Sequence, residues 1–263
     1  MTAAQATSAS FDFGRVVSNA LRVVGSNLRE LSIVALLLAG VPAAMMGWGQ
    51  ALLGGTIDGT GAEPNFAVAL PVFSLGVIAL MIGSVLLQAA TIRVAVATLN
   101  GDKPSAFREL SRSYGVILPI IGLAIVTGFG IGLGTLLLIV PGVILAVMWI
   151  VATPAYVMER PGVFGALGRS RNLTRGHRWP IFGLSVVYFV AYFVISAVLG
   201  GIFVAAAMIA GDLNGLQITS TIANALLGAI SGVVTSAGIS SIYYELRMIK
   251  EGVGAAQLAA VFD

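Results

Sequence analysis

Arg171, Arg175 and Arg178 recur at i, i+4 and i+7 in a segment that opens at Pro161 and passes Gly176, the punctuation of a helix start and a helix end. If the helix continues through Arg178, the three guanidinium groups form a basic stripe. The chemistry open to such a stripe is electrostatic: each Lys or Arg near an anionic leaflet contributes about 1 kcal/mol of attraction. Arg15, Arg22 and Arg29 are spaced by seven and form a second stripe, with Val17, Leu21, Val24, Leu28 and Leu31 roughly opposite. That pattern reads as a helix lying in the membrane interface, its apolar face toward acyl chains and its arginines among anionic headgroups. Gly25 and Asn27 weaken this helix, so a bend is expected before the apolar run that follows. A shorter version places Phe107, Leu110 and Tyr114 on one face and Arg108 and Arg112 on another. For each of these arginines the competing reading is topological, since positive loops are retained in the cytoplasm.

Other chemistries lack their residues. The chain has no cysteine and one histidine, His177, which removes thiol catalysis, disulfides and the usual His-based metal clusters. No G-x-x-x-x-G-K-S/T phosphate loop occurs. Arg93, Glu159 and Glu245 fall at expected membrane boundaries and none falls mid-span, which disfavours a proton relay. We therefore expect no catalytic residue, metal ligand or cofactor. Uncharged polar residues remain. Asn224, Gly228, Ser231, Thr235 and Gly238 make one small or polar helical face, and Gln88 and Thr91 could meet it from an earlier span. Gly228 and Gly232 have G-x-x-x-G spacing, as do Gly128, Gly130, Gly132 and Gly134 in two overlapping pairs. Such faces serve helix packing or line a polar path.

The elements that position these residues follow from composition. Of 263 residues 58% are hydrophobic and 10% charged, with a mean hydropathy of +0.99. A soluble domain carries roughly 25% charged residues, so the solvent of this chain is largely lipid. A crossing needs about 20 apolar residues, and spans are expected at about 31–53, 67–92, 115–138, 142–158, 180–210 and 218–243. The charge-free stretch from Gly115 to Met158 is too long for one crossing. Its turn is expected near Pro141-Gly142, with the run Gly128 to Gly134 as the rival position. This is an all-α, polytopic helical membrane protein: a polar tail (1–10), one six-span domain (11–252) with basic amphipathic interfacial helices, and a short tail (253–263).

The 14 Lys and Arg residues fall in four groups. Arg15, Arg22 and Arg29 precede span one. Arg93, Lys103, Arg108 and Arg112 separate spans two and three. Arg160, Arg169, Arg171, Arg175 and Arg178 separate spans four and five, and Arg247 and Lys250 follow span six. Six crossings place all of them on one side and leave Asp58, Glu63 and Asp212 on the other. By the positive-inside rule both termini are cytoplasmic, and the expected location is a bacterial inner membrane. No cleavable signal peptide is expected. Because the basic residues are dispersed through membrane-proximal loops, nucleic-acid binding is not expected.

Two segments echo each other. Ala106 begins one that leads to Pro119-Ile120-Ile121-Gly122-Leu123, and Ala166 begins another that leads to Pro180-Ile181-Phe182-Gly183-Leu184. The architecture expected from this is three units, each an interfacial helix followed by a two-span hairpin. Pro141-Gly142, Trp149, Pro154, Glu159, Ala166, Ser170, Leu173, Arg175-Gly176 and Trp179, followed by Tyr243-Tyr244-Glu245-Leu246-Arg247 and Glu251-Gly252, resemble the glycerophosphoryl diester phosphodiesterase membrane domain family. They are similar as well to the YciC-type bacterial inner-membrane proteins. In that family the membrane region can be fused to a catalytic barrel using paired histidines and carboxylates. This chain has neither room for the barrel nor the pair, so the resemblance implies fold and location and carries no activity.

The sequence thus reads as a non-enzymatic integral membrane protein that organises lipid or a membrane partner through basic interfacial helices. Arg15, Arg22, Arg29, Arg171, Arg175 and Arg178 are the contacts expected for anionic lipid headgroups, a protein partner or a second copy. The alternative is a transporter or permease for a lipid-related or small polar molecule, with Gln88, Asn224, Ser231 and Thr235 along its path.

Overall fold

The computed structural model describes residues 11–53, 66–210 and 213–252, excepting the side chains of 203, 207, 208, 210 and 213–226. Both expected tails, and the acidic residues Asp58, Glu63 and Asp212, lie outside the described residues. Among the described residues there is no strand. Among the described residues six helical segments are long and apolar enough to cross a membrane: Leu28–Leu53, Phe66–Leu99, Tyr114–Leu137, Ile139–Glu159, Arg178–Ala206 and Leu227–Glu251. The protein is an all-α polytopic membrane protein.

Helix α1 (Phe13–Ser26) begins where the Asp12 carboxylate accepts the Arg15 N–H at 3.1 Å, an N-cap that satisfies one of the free first-turn donors. It ends at Asn27, whose backbone leaves helical geometry and whose amide donates to Val23 O at 2.9 Å and Thr98 Oγ1 at 3.0 Å. The bend expected there is thus fixed by a bond to the second span. Helix α2 (Leu28–Ala35) continues through a π-helical turn, Leu36–Gly40, into α3 (Val41–Leu53). Pro42 has no N–H to offer the Leu38 carbonyl four residues back, and the widened turn absorbs that defect. The Leu38 carbonyl instead faces Gly83 of the long second span, α4 (Phe66–Leu99), where any Cβ would overlap it.

Helix α5 (Ala106–Ser111) and a 3-10 turn at Tyr114–Val116 lead into α6 (Ile117–Leu137). The turn to α7 (Ile139–Trp149) is a single extended residue, Leu138. It therefore lies ahead of Pro141-Gly142, which instead occupy the first turn of α7. Proline is tolerated there because first-turn N–H groups have no intrahelical partner. Gly142 is pressed against the backbone of Thr135, which keeps the hairpin tight. Span four breaks at Ile150-Val151 and resumes as α8 (Ala152–Glu159), with Pro154 in its first turn. Helix α9 (Val163–Thr174) precedes α10 (Arg178–Ala210) and α11 (Leu213–Glu251).

Helices α1, α5 and α9 each precede an odd-numbered span. The internal echo has a structural counterpart: α5 begins on buried Ala106 and α9 carries buried Ala166, and the following spans bury Ile120 and Ile181. One buried cluster joins Val16, Val96, Val151, Leu173, Ile181, Tyr243 and Leu246, uniting α1, α4, α9, α10 and α11 with the break in span four. The short helices are thus built into the arginine-bearing end of the bundle.

Candidate functional site: a basic face and an inner cavity

Helix α9 is fastened on three sides. Its entry needs two left-handed residues, Arg160 and Gly162 (φ 51° and 83°). The break in span four frees carbonyls, and Met148 O accepts the Ser170 hydroxyl at 2.8 Å and that of Thr174 at 3.3 Å. The Arg169 Nε donates to both oxygens of Glu159, at 3.1 and 2.8 Å, and its Nη2 reaches Glu251. Glu251 also accepts from Arg247 Nε at 2.8 Å, and the Tyr243 hydroxyl donates to Glu159 at 2.6 Å. Arg247 lies over the Tyr243 ring, 5.7 Å from its centroid, which closes a circuit of five side chains. Burial alone draws the Arg169 pKa down, but its bonds to Glu159 and Glu251 outweigh that and the net shift is upward. Glu159, expected at a boundary, is a paired group.

Beyond this circuit lies an open cavity of about 640 Å³, lined by Arg171, Asn172, Arg175, Arg178 and Trp179 with Gly168 and Gly176. The three arginines do not form a continuous helical stripe. Helix α9 ends at Thr174, Arg175 is extended, Gly176 turns at φ 89°, and Arg178 opens α10. Gly176, read as a helix end, is where the chain reverses, because a left-handed residue terminates the helix. The reversal places the three arginines around one concavity rather than along one cylinder. Lys250 donates to Asn172 O at 2.6 Å and Arg175 O at 2.8 Å, so its ammonium covers the negative end of α9. Trp179 stands 83% exposed at the rim.

The arginines of the second stripe, Arg15 and Arg22 on α1 and Arg29 on α2, separate. Arg22 and Arg29 are exposed, whereas the Arg15 guanidinium bonds Glu245 through Nε at 3.1 and 3.0 Å and through Nη2 at 2.5 Å. That hydrogen bonding raises the Arg15 pKa against a smaller opposing effect of burial. The apolar stripe opposite divides as well: Val17, Leu21 and Leu28 are exposed, Leu31 is buried and Val24 packs in the core. Val16 and Val23, outside that stripe, are the residues of α1 that the bundle buries, because α1 docks on α11 and α4 along the side between the two stripes.

A second cavity of about 840 Å³ lies among α3, α4, α6 and α11, where Gln50, Ser84, Gln88, Ser231, Thr235 and Ser236 supply its polar lining. Gln88, Ser231 and Thr235 all line this cavity. Thr91 is buried away from the lining, and the Asn224 side chain lies outside the described residues. The hydroxyls of Ser231, Thr235 and Ser236 each bond a carbonyl in the preceding turn, at 3.0, 2.6 and 2.7 Å. Tyr188 of α10 also bonds Thr235. The Gly228-x-x-x-Gly232 pair does not seat a neighbouring backbone; Gly228 faces open space, and the pair borders the cavity. Of the earlier glycine run, Gly130 meets the Trp149 ring and Gly134 the backbone of Gly142, while Gly128 and Gly132 face outward.

Trp179, Lys250 and the Glu159–Arg169–Glu251–Arg247 circuit were not singled out as site residues from the sequence. Most of them stand among the residues that carry the family resemblance, and all but Trp179, which lies on α10, take part in the contact of α9 with α8 and α11. Over 151 residues the chain is 28% identical to a UPF0259 membrane protein of Pectobacterium carotovorum subsp. carotovorum (strain PC1). That similarity covers 57% of this chain and 60% of the relative, so the chain spans about three fifths of that protein. It supports kinship with a bacterial membrane protein. No family model matches the chain, and the likeness to the phosphodiesterase membrane domain rests on its motif residues alone. No solved structure matches.

Proposed function

We propose that this is a non-enzymatic integral protein of a bacterial inner membrane that organises anionic lipid, or a membrane partner, at the basic face of its bundle. The observation that carries the reading is the convergence of Arg171, Arg175 and Arg178 on one open cavity whose lining holds no carboxylate. Three guanidinium groups with no ion-pair partner among the described residues repel one another, and an anion relieves that repulsion through paired N–H···O bonds. The segment joins two spans, so its cavity faces the headgroup layer, and the positive-inside rule assigns this face to the cytoplasm. The test is native mass spectrometry of the full chain in mild detergent. Retained anionic phospholipid, lost in the variant with Arg171→Gln, Arg175→Gln and Arg178→Gln but kept in Asn224→Leu, supports the reading. Absence of any retained anionic lipid or partner overturns it.

A transporter or permease is the second reading, favoured by the inner cavity and its amide and hydroxyl lining. Its test is flux in reconstituted vesicles. A block by Gln88→Leu and Asn224→Leu, with the arginine variant unaffected, supports a path through the bundle.

A further inference from the structure

We infer that the cavity between α9 and α10 receives a phosphomonoester, the terminal dianionic phosphate of a lipid headgroup. The inference rests on the lipid-organising reading above and specifies the chemistry of its ligand. Arg171, Arg175 and Arg178 reach the cavity from the last turn of α9, the extended link and the first turn of α10. None of them makes an ion pair among the described residues, whereas Arg169 and Arg247 nearby are held by Glu159 and Glu251. The Nε of Arg178 is enclosed and has no hydrogen-bond partner among the described residues.

The surroundings remove what would repel an anion. The last carbonyls of α9 would present a partial negative charge to the cavity, but Lys250 binds those of Asn172 and Arg175. On the other side the first turn of α10 presents the positive end of a helix dipole. The volume, about 640 Å³, lies in the range of small-ligand sites, roughly 300–1,000 Å³. Charge selects among phosphates. A diester carries one negative charge against three guanidinium groups, while a monoester carries about −1.5 to −2 at neutral pH. Exposed Trp179 at the rim suits the boundary between headgroups and acyl chains. A soluble phosphomonoester shares the phosphate chemistry but has no acyl chain to place there.

The full chain in mild detergent is titrated with short-chain phosphatidic acid, with phosphatidylglycerol of the same chains, and with inorganic phosphate, binding being read by native mass spectrometry. The expected result is at least a tenfold preference for phosphatidic acid over phosphatidylglycerol, with inorganic phosphate a weak competitor. The variant with Arg171→Gln, Arg175→Gln and Arg178→Gln is expected to lose on the order of a hundredfold in phosphatidic acid affinity. Arg178→Lys, which keeps the charge but not the planar fork, is expected to keep phosphatidylglycerol binding and lose the preference. Lys103→Gln with Arg108→Gln is expected to keep it. Equal affinity for the two lipids, or equal loss in the Lys103/Arg108 variant, overturns the cavity while leaving basic-face lipid binding in place. Inorganic phosphate matching phosphatidic acid overturns the lipid source. Binding of neither anionic lipid overturns this inference and the broader reading together.

Discussion

Arg15 and Glu245 stand 230 residues apart in the chain and 2.5 Å apart in space, the guanidinium side chain 47% exposed and the carboxylate fully buried. The Asp12 N–H adds a third approach to the same carboxylate, at 3.4 Å. The pair ties the helix that precedes the first span to the end of the last one. Its asymmetry makes the two partners unequal. Arg15→Ala leaves a carboxylate buried and uncompensated, and we expect a loss of about 2 kcal/mol of stability. Glu245→Gln leaves an arginine that water already reaches, and the loss should be smaller. Thermal midpoints of the two variants in detergent check the order; equal midpoints would contradict the asymmetry, and midpoints unchanged from the unsubstituted protein would show that the pair does not fasten α1.

Gly83→Ala should lower the thermal midpoint clearly, because its Cβ would overlap the Leu38 carbonyl, which belongs to backbone and cannot rotate away. Gly132→Ala meets open space and should cost little or slightly stabilise, since alanine is the better helix former. The comparison sets Gly132, which has G-x-x-x-G spacing, against Gly83, which has none.

Ser170→Val removes the hydroxyl that satisfies Met148 O across the break in span four. We expect a loss of about 1 kcal/mol, with Ser170→Thr retaining most of the bond. Hydrogen exchange at the first turn of α8 should quicken in the valine variant and not in the threonine one.

How much of this was legible in advance depended on the kind of interaction. Spans were readable because each must satisfy its own backbone hydrogen bonds and face lipid, so one-dimensional hydropathy carries the information. The cavity grouping of Gln88 with Ser231 and Thr235 was readable because helical periodicity puts them on facing surfaces. The turn at Leu138 was misplaced because Pro141 punctuates a helix start as readily as a helix end. The arginine stripe was conditional on the helix continuing past Gly176, and the left-handed turn at that glycine ends it. Pairs such as Arg15–Glu245 and Arg169–Glu159 leave no periodic trace, since they depend on packing between segments distant in sequence.

Gln88→Leu should leave stability unchanged or raise it, because the substitution withdraws an amide from the membrane interior and fills part of the inner cavity. A marked fall in the thermal midpoint would mean that the amide has a structural partner. Unchanged stability together with lost vesicle flux would place Gln88 in a transport path.

The account depends most on all the cationic side chains lying at one membrane surface. Because the chain has no cysteine, a single thiol introduced as Arg112→Cys or Arg175→Cys reports its side without background. In intact cells an impermeant maleimide should leave both unlabelled and should modify them after the inner membrane is permeabilised. Labelling of either site in intact cells would contradict the six-span arrangement and remove the basis for a cytoplasmic lipid-binding face.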